Sequence, residues 1–144
     1  MYKNIFYNTI ESNFTLKYKS NITNWLNLIA LNEKKKIETI SYTFCKNTTI
    51  KKINNKYLTH NYPTDILTFD LRALHTQPIS ADIYIGIDII RRNAVTYNTT
   101  FELELLRVLA HGLLHLIGYD DTTVAAQKQM REMEEYYLKL YMQK

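Results

Sequence analysis

The segment from Thr99 to Gly118, TTFELELLRVLAHGLLHLIG, constrains the fold of this chain more than any other stretch. Its start, interior and end all specify one helix. Thr100 is an N-cap residue type, Glu102 and Glu104 put negative charge in the first turn, and Gly118 stands where a glycine ends a helix. This helix carries two of the chain's four histidines, His111 and His115. Residues i and i+4 lie one above the other on a helix face, so both imidazoles can aim at one point.

The remaining elements follow from periodicity and breakers. Short apolar alternation predicts strands over residues 3–8 and 14–18. A helix starts at Asn21 as N-cap, with Ile22, Trp25, Leu26 and Ile29 on one face. Residues 36–45 alternate with period two and are β-branched and aromatic, which predicts a strand. Asn47 or Thr48 can cap a short helix over 49–58, and residues 59–63 form a loop in which Pro63 ends any helix before it. Strands are expected at 64–71 and 81–88, joined by residues 72–80. A helix over 89–98 follows, with Asp88 near its start. From about Thr123, Ala126, Met130, Met133, Tyr137 and Leu140 recur at spacings of four and three, the pattern of an amphipathic helix. The class is α+β, with several helices and roughly four strands.

Length and charge narrow the function. A chain of 144 residues suits one domain, here 1–144. No apolar run is long enough to span a membrane, and the N-terminus lacks a signal-peptide pattern. A cytoplasmic protein is therefore expected. The single cysteine, Cys45, lies in the apolar stretch ISYTFC and reads as an inert buried thiol. The formal charge of +4 tilts the partner toward a polyanion. The 12 tyrosines are scattered and form no aromatic RNA-binding signature.

Two readings of His111 and His115 stand at this point. In one, they are core imidazoles bonded to backbone or tyrosine groups. In the other, they bind a metal, and coordination offsets the desolvation of two polar groups in an apolar helix. The stretch HGLLHLIGYDD brings the second level with the first, because Gly118 lets the chain reverse and Asp121 can then face the histidines. Two His and one Asp make three protein ligands and leave a fourth position for water, as in a catalytic zinc site. Asp120 is the rival third ligand. Gly112 excludes the HExxH protease mechanism, which needs a glutamate there as general base.

HGLLHLIGYDD resembles the H-G-x-L-H-L-x-G-Y-D-H signature of the YbeY family, metal-dependent endoribonucleases of rRNA maturation. INNKYLTHNYPTDILTFD at 53–70 is similar to the family's L-N-x-x-Y-R-x-x-D-x-P-T-D-V-L-S-F-P, and ADIYIGIDIIRRNA at 81–94 to its G-D-I-x-I-S block with the following N-A helix. The resemblance implies a small α+β domain with a mixed, roughly four-stranded sheet packed against several helices. It places the metal site at the end of the His-bearing helix. It further implies that His111, His115 and the residue at 121 bind zinc, one ion per chain. The implied activity is cleavage of single-stranded RNA in 16S rRNA 3′-end maturation and ribosome quality control. Ribosomal RNA and the ribosome or its small-subunit proteins are the implied partners, with the chain a monomer.

Three departures stand out. Asp121 replaces the family's usual histidine, which makes the metal a weaker Lewis acid and also suits iron or another divalent ion. Leu58 stands where the family has an arginine associated with substrate, and Asn61 where it commonly has Asp. His60 and Arg72 are candidates to replace that arginine. Lys52, Lys56, His60, Arg72 and Arg91 are the expected RNA-binding residues, with Lys51 and Arg92 as further basic candidates. Asp65 orients either a ligand or its own turn. In the mechanism expected, the metal neutralises charge on a phosphate oxygen and acidifies bound water, which acts as nucleophile or as base toward the ribose 2′-OH. The competing readings are a non-enzymatic ribosome-associated RNA-binding factor with a structural metal, and a metallohydrolase of another substrate.

Overall fold

The computed structural model describes residues 2–58 and 64–143. In chain order the elements are β1 (Ile5–Ile10), α1 (Lys19–Asn32), β2 (Ile37–Cys45), α2 (Asn47–Leu58), β3 (Ile66–Asp70), β4 (Ile79–Gly86), α3 (Ile87–Thr96), α4 (Phe101–Ile117) and α5 (Val124–Met142). The four strands form one mixed sheet in the order β1-β2-β4-β3. β1, β2 and β4 are parallel, and β3 runs antiparallel to β4. The β1–α1–β2 crossover supplies the helix that a parallel connection requires. The expected α+β class with a mixed four-stranded sheet is what the chain adopts. No helix among the described residues is long and apolar enough to cross a membrane.

The central element is α4. Ten of its 17 residues are buried, and it packs against α1, α3, α5, β3 and β4. Gly112 lets it lie close to the sheet: a Cβ there would sit 2.8 Å from Ile66 Cδ1 and 3.2 Å from Ile83 Cδ1. The main core combines α4 with Trp25, Leu26 and Ile29 of α1, Tyr42 and Phe44 of β2, and Ile83 and Ile85 of β4. A smaller cluster of Cys45, Ile50 and Leu67 lies apart from it under α2. Burial raises the Cys45 thiol to a pKa of about 11, so it stays protonated at neutral pH.

Several boundaries differ from the sequence reading. Residues 14–18 form no strand. Phe14 instead packs on Phe44 and Phe101, at ring-centroid distances of 4.9 and 5.8 Å, and Leu16 is buried, so the apolar alternation serves core packing. α1 begins at Lys19 rather than after Asn21. Its N-cap Tyr18 is left-handed at φ 61° and makes no side-chain cap. α2 begins at Asn47, whose N–H donates to Asp88 Oδ2 at 2.9 Å, so the carboxylate comes from α3. β4 starts two residues early at Ile79, and Ile87 and Asp88 turn into α3. β3 covers Ile66–Asp70 rather than 64–71, with one backbone bond to β4 beyond each end, Gly86 N–H to Asp65 C=O and Leu71 N–H to Ser80 C=O, both at 2.8 Å. Both ends of α4 and the start of α5 are as read. Thr100 Oγ1 accepts from Leu103 N–H at 3.1 Å, Thr123 Oγ1 accepts from Ala126 N–H at 3.0 Å, and Gly118 has φ 130°. The expected loop 59–63, with His60, Asn61 and Pro63, lies outside the described residues.

Candidate metal centre

The site begins with α4. His111 and His115 stand one turn apart, their rings edge to face at 4.7 Å between centroids. Gly118 then reverses the chain, and Tyr119 N–H closes the turn on Leu114 C=O at 3.0 Å. This brings Asp121 back over the helix end. Its Oδ2 lies 3.5 Å from His111 Nε2 and 3.3 Å from His115 Nε2. Each of the three residues offers one donor atom within 4.8 Å of the others, and all are half-buried, so the group can hold a metal ion. Two imidazole nitrogens and a carboxylate oxygen form a donor set suited to zinc or another divalent ion. Asp120 points into its own turn. Its Oδ1 accepts the Asp121 N–H and its Oδ2 the Thr122 hydroxyl, both at 2.7 Å. Those bonds, led by the Thr122 hydroxyl, hold its carboxyl below the ordinary range.

Three distant groups hold the centre in place. Glu134 of α5, only 8% exposed at its side chain, puts Oε2 2.7 Å from His111 Nδ1. A proton on Nδ1 then leaves the Nε2 lone pair on the Asp121 side. Burial pulls the His111 pKa down, but Glu134, Asp121 and Asp65 outweigh it and the net shift is upward. Glu33, just past α1, accepts the hydroxyls of Tyr119, at 2.7 Å, and Tyr137. That bond anchors the turn that carries Asp121. Arg72 secures the end of α4 by donating from Nη2 to Leu116 C=O at 2.7 Å.

Beside the histidines lies a cleft of about 270 Å³ between α4, α5 and the start of β3. Four carboxylates line it, from Asp65, Glu104, Asp121 and Glu134, with Arg107 and Arg131 as its arginines. Burial raises the Asp65 carboxyl, partly offset by the nearby His111. Burial also raises the Glu104 carboxyl, partly offset by Arg107. Asp65 is fixed by its backbone at Gly86, where a Cβ would lie 2.1 Å from Thr64 C=O. Arg107 is ringed by acids: Glu104 at 3.6 Å, Glu134 at 3.3 Å, and Glu135.

The structure does not bring the expected RNA-binding residues to this cleft. Lys52 and Lys56 are exposed on α2, with Lys56 Nζ 5.2 Å from the Tyr57 ring centre, and neither lines it. The Arg91 guanidinium lies over Phe101 at 4.8 Å. Arg72, expected in the RNA approach, has a side chain only 2% exposed, paired with Asp70 at 2.8 Å as well as with Leu116. Leu58 is exposed at the end of α2, and His60 lies outside the described residues. Sequence reasoning missed Glu134, Glu104, Arg107 and Arg131. A signal for Glu134 was available: it falls four residues after Met130 and three before Tyr137, on the buried face of α5. A carboxylate on an apolar stripe needs a buried partner.

A family model described as Endoribonuclease YbeY matches residues 5–142. The chain is 40% identical over 136 residues to Endoribonuclease YbeY of Cytophaga hutchinsonii, covering 94% of each chain. It is 45% identical over 105 residues to Endoribonuclease YbeY of Chlorobium limicola, covering 73% of this chain and 72% of that one. Among solved structures, the solution structure of TM1509 from Thermotoga maritima superimposes with a TM-score of 0.69 at 29% identity, covering 95% of this chain and 88% of that one. With the mixed sheet, the His-bearing central helix and the returning GYDD turn already in place, these matches establish that the chain belongs to the YbeY endoribonuclease family.

Proposed function

We propose that this chain, as a single domain over 1–144, is a metal-dependent endoribonuclease that cleaves single-stranded RNA. Its role is 16S rRNA 3′-end maturation and ribosome quality control in the cytoplasm, where it works as a monomer beside small-subunit proteins. The observation that carries the reading is the convergence of His111 Nε2 and His115 Nε2 on Asp121 Oδ2 in a chain whose relatives are named endoribonucleases. Family membership favours the enzyme over a non-enzymatic RNA-binding factor or a hydrolase of another substrate.

His111, His115 and Asp121 would hold one divalent ion, zinc or, given the two-His-one-carboxylate set, iron or another metal. When bound, such an ion supplies Lewis-acid stabilisation of phosphate charge and acidifies coordinated water. The protein's own groups do the rest. Glu134 holds the proton on His111 Nδ1 and orients the ring. Glu33 holds the Tyr119 hydroxyl and thereby the turn that delivers Asp121. Asp65 and Glu104, raised by burial, face the cleft as carboxyls that can exchange a proton with substrate or solvent. Lys52, Lys56 and Arg91, on the exposed surface, would meet RNA outside the cleft.

The test is elemental analysis of untagged protein, wild type beside His115→Ala and Asp121→Ala, with cleavage of a single-stranded RNA in parallel. About one metal per wild-type chain, lost from both variants together with cleavage, is the expected result. Metal-free wild type that retains cleavage would refute the metal mechanism. Metal retained by Asp121→Ala would remove Asp121 from the ligand set.

A further inference from the structure

The cleft beside His111 poses an electrostatic problem for an RNA substrate. Four carboxylates line it against two arginines, so apart from the charge of a bound ion its own side chains repel a polyanion. Arg107 cannot correct this, because Glu104, Glu134 and Glu135 already surround its guanidinium. A phosphate approaching it would have to compete with three carboxylates.

Arg131 is in the opposite condition. It sits on α5 in register with Gln127 and Glu134, four residues before it and three after, and all three line the cleft. It is exposed. Among the described residues no carboxylate pairs with it and no hydrogen bond engages its guanidinium. Arg131 is thus the cleft cation free to take a phosphate, among the described residues. A planar guanidinium can hold two non-bridging phosphate oxygens at once, and holding them sacrifices no existing ion pair.

From this contrast we propose that Arg131 is a substrate-binding residue of the cleft, contacting the backbone phosphate of single-stranded RNA next to the one at His111, His115 and Asp121. The assignment rests on the endoribonuclease reading above. The division of labour is then physical. Arg107 neutralises the carboxylates that hold the centre, while Arg131 supplies the uncommitted charge that receives substrate.

The test measures binding of a short fluorescent single-stranded RNA on ice, by anisotropy, to the protein with its metal, over a series of salt concentrations. Wild type is compared with Arg131→Ala, Arg131→Lys and Lys128→Ala. Lys128 is exposed on the same helix and does not line the cleft, so its variant controls for a general loss of positive charge. Arg131→Ala is expected to weaken binding roughly tenfold and to lower the slope of log affinity against log salt by about 0.7, the value for one phosphate contact on a single strand. Arg131→Lys should recover the slope, and Lys128→Ala should stay near wild type. Equal losses in Arg131→Ala and Lys128→Ala, or no loss in either, would overturn the assignment while leaving the nuclease reading intact. Wild type that neither binds nor cleaves single-stranded RNA would refute that reading and this assignment with it.

Discussion

The two ends of α4 are held by different means. At the N-terminal end the securing group is local: Thr100 accepts an N–H from three residues ahead. At the C-terminal end, where the histidines lie, the local turn at Gly118 is joined by securing groups from far along the chain. Arg72 reaches Leu116 C=O, Glu33 reaches Tyr119, and Glu134 reaches His111, separations of 44, 86 and 23 residues. Ending a helix needs only its neighbours, because the unpaired amides lie within one turn of the cap. Aiming three donor atoms at one point needs supports from several elements, since each side chain must be fixed in rotamer and protonation state.

Substitutions at the two ends should therefore separate stability from metal binding. The largest effect is expected at Glu134. Glu134→Ala leaves His111 Nδ1 without its buried partner, and metal affinity should fall about 10–100-fold in chelator competition. Glu134→Gln keeps an acceptor oxygen and should fall less. If Glu134→Ala held metal as tightly as wild type, the support at this end would be no more than packing.

Arg72→Ala comes next. It removes charged hydrogen bonds to Asp70 and to the end of α4, and should cost about 2 kcal/mol in denaturant unfolding. It should also change the acid limb of stability. The Asp70 carboxyl is held below its ordinary value, first by its hydrogen bond from Arg72. A depressed folded pKa gives stability that is present above the unfolded value near pH 4 and is lost as pH falls through the folded value. Wild type should accordingly lose stability on acidification below about pH 4, and Arg72→Ala should show less of that loss. Identical acid limbs would break the assignment of this pair.

The smallest effect belongs to the local end. Thr100→Ala should cost about 1 kcal/mol with metal stoichiometry unchanged. A loss of metal in Thr100→Ala would show that the two ends are coupled through the helix, and the contrast drawn here would fail.

Much of this architecture was legible beforehand where the signal is short-range. The N-cap of α4, the start of α5 near Thr123, the glycine stop at Gly118, and the convergence of His111, His115 and Asp121 all follow from spacing within about twenty residues. Alternation misled at 14–18, since a period of two says only that apolar groups face one side. There Phe14 and Leu16 serve the core without pairing in the sheet. The surroundings of basic residues are less legible still. Lys52, Lys56, Arg72 and Arg91 were equivalent charges in the sequence, yet one is a buried cap, one covers Phe101 and two stand exposed on α2.

The sequence by itself determined the central helix, the spacing of His111, His115 and Asp121, and the family, because each is written in contiguous residues whose relation is set by helix and turn geometry. Only the tertiary structure decided that Glu134 orients His111, that Arg107 is consumed by three carboxylates, and that Arg131 has no ion-pair partner among the described residues. A charge carries no mark of its partner in a linear chain. Whether it is spent on the fold or left for a substrate depends on which side chains packing brings within a few ångströms.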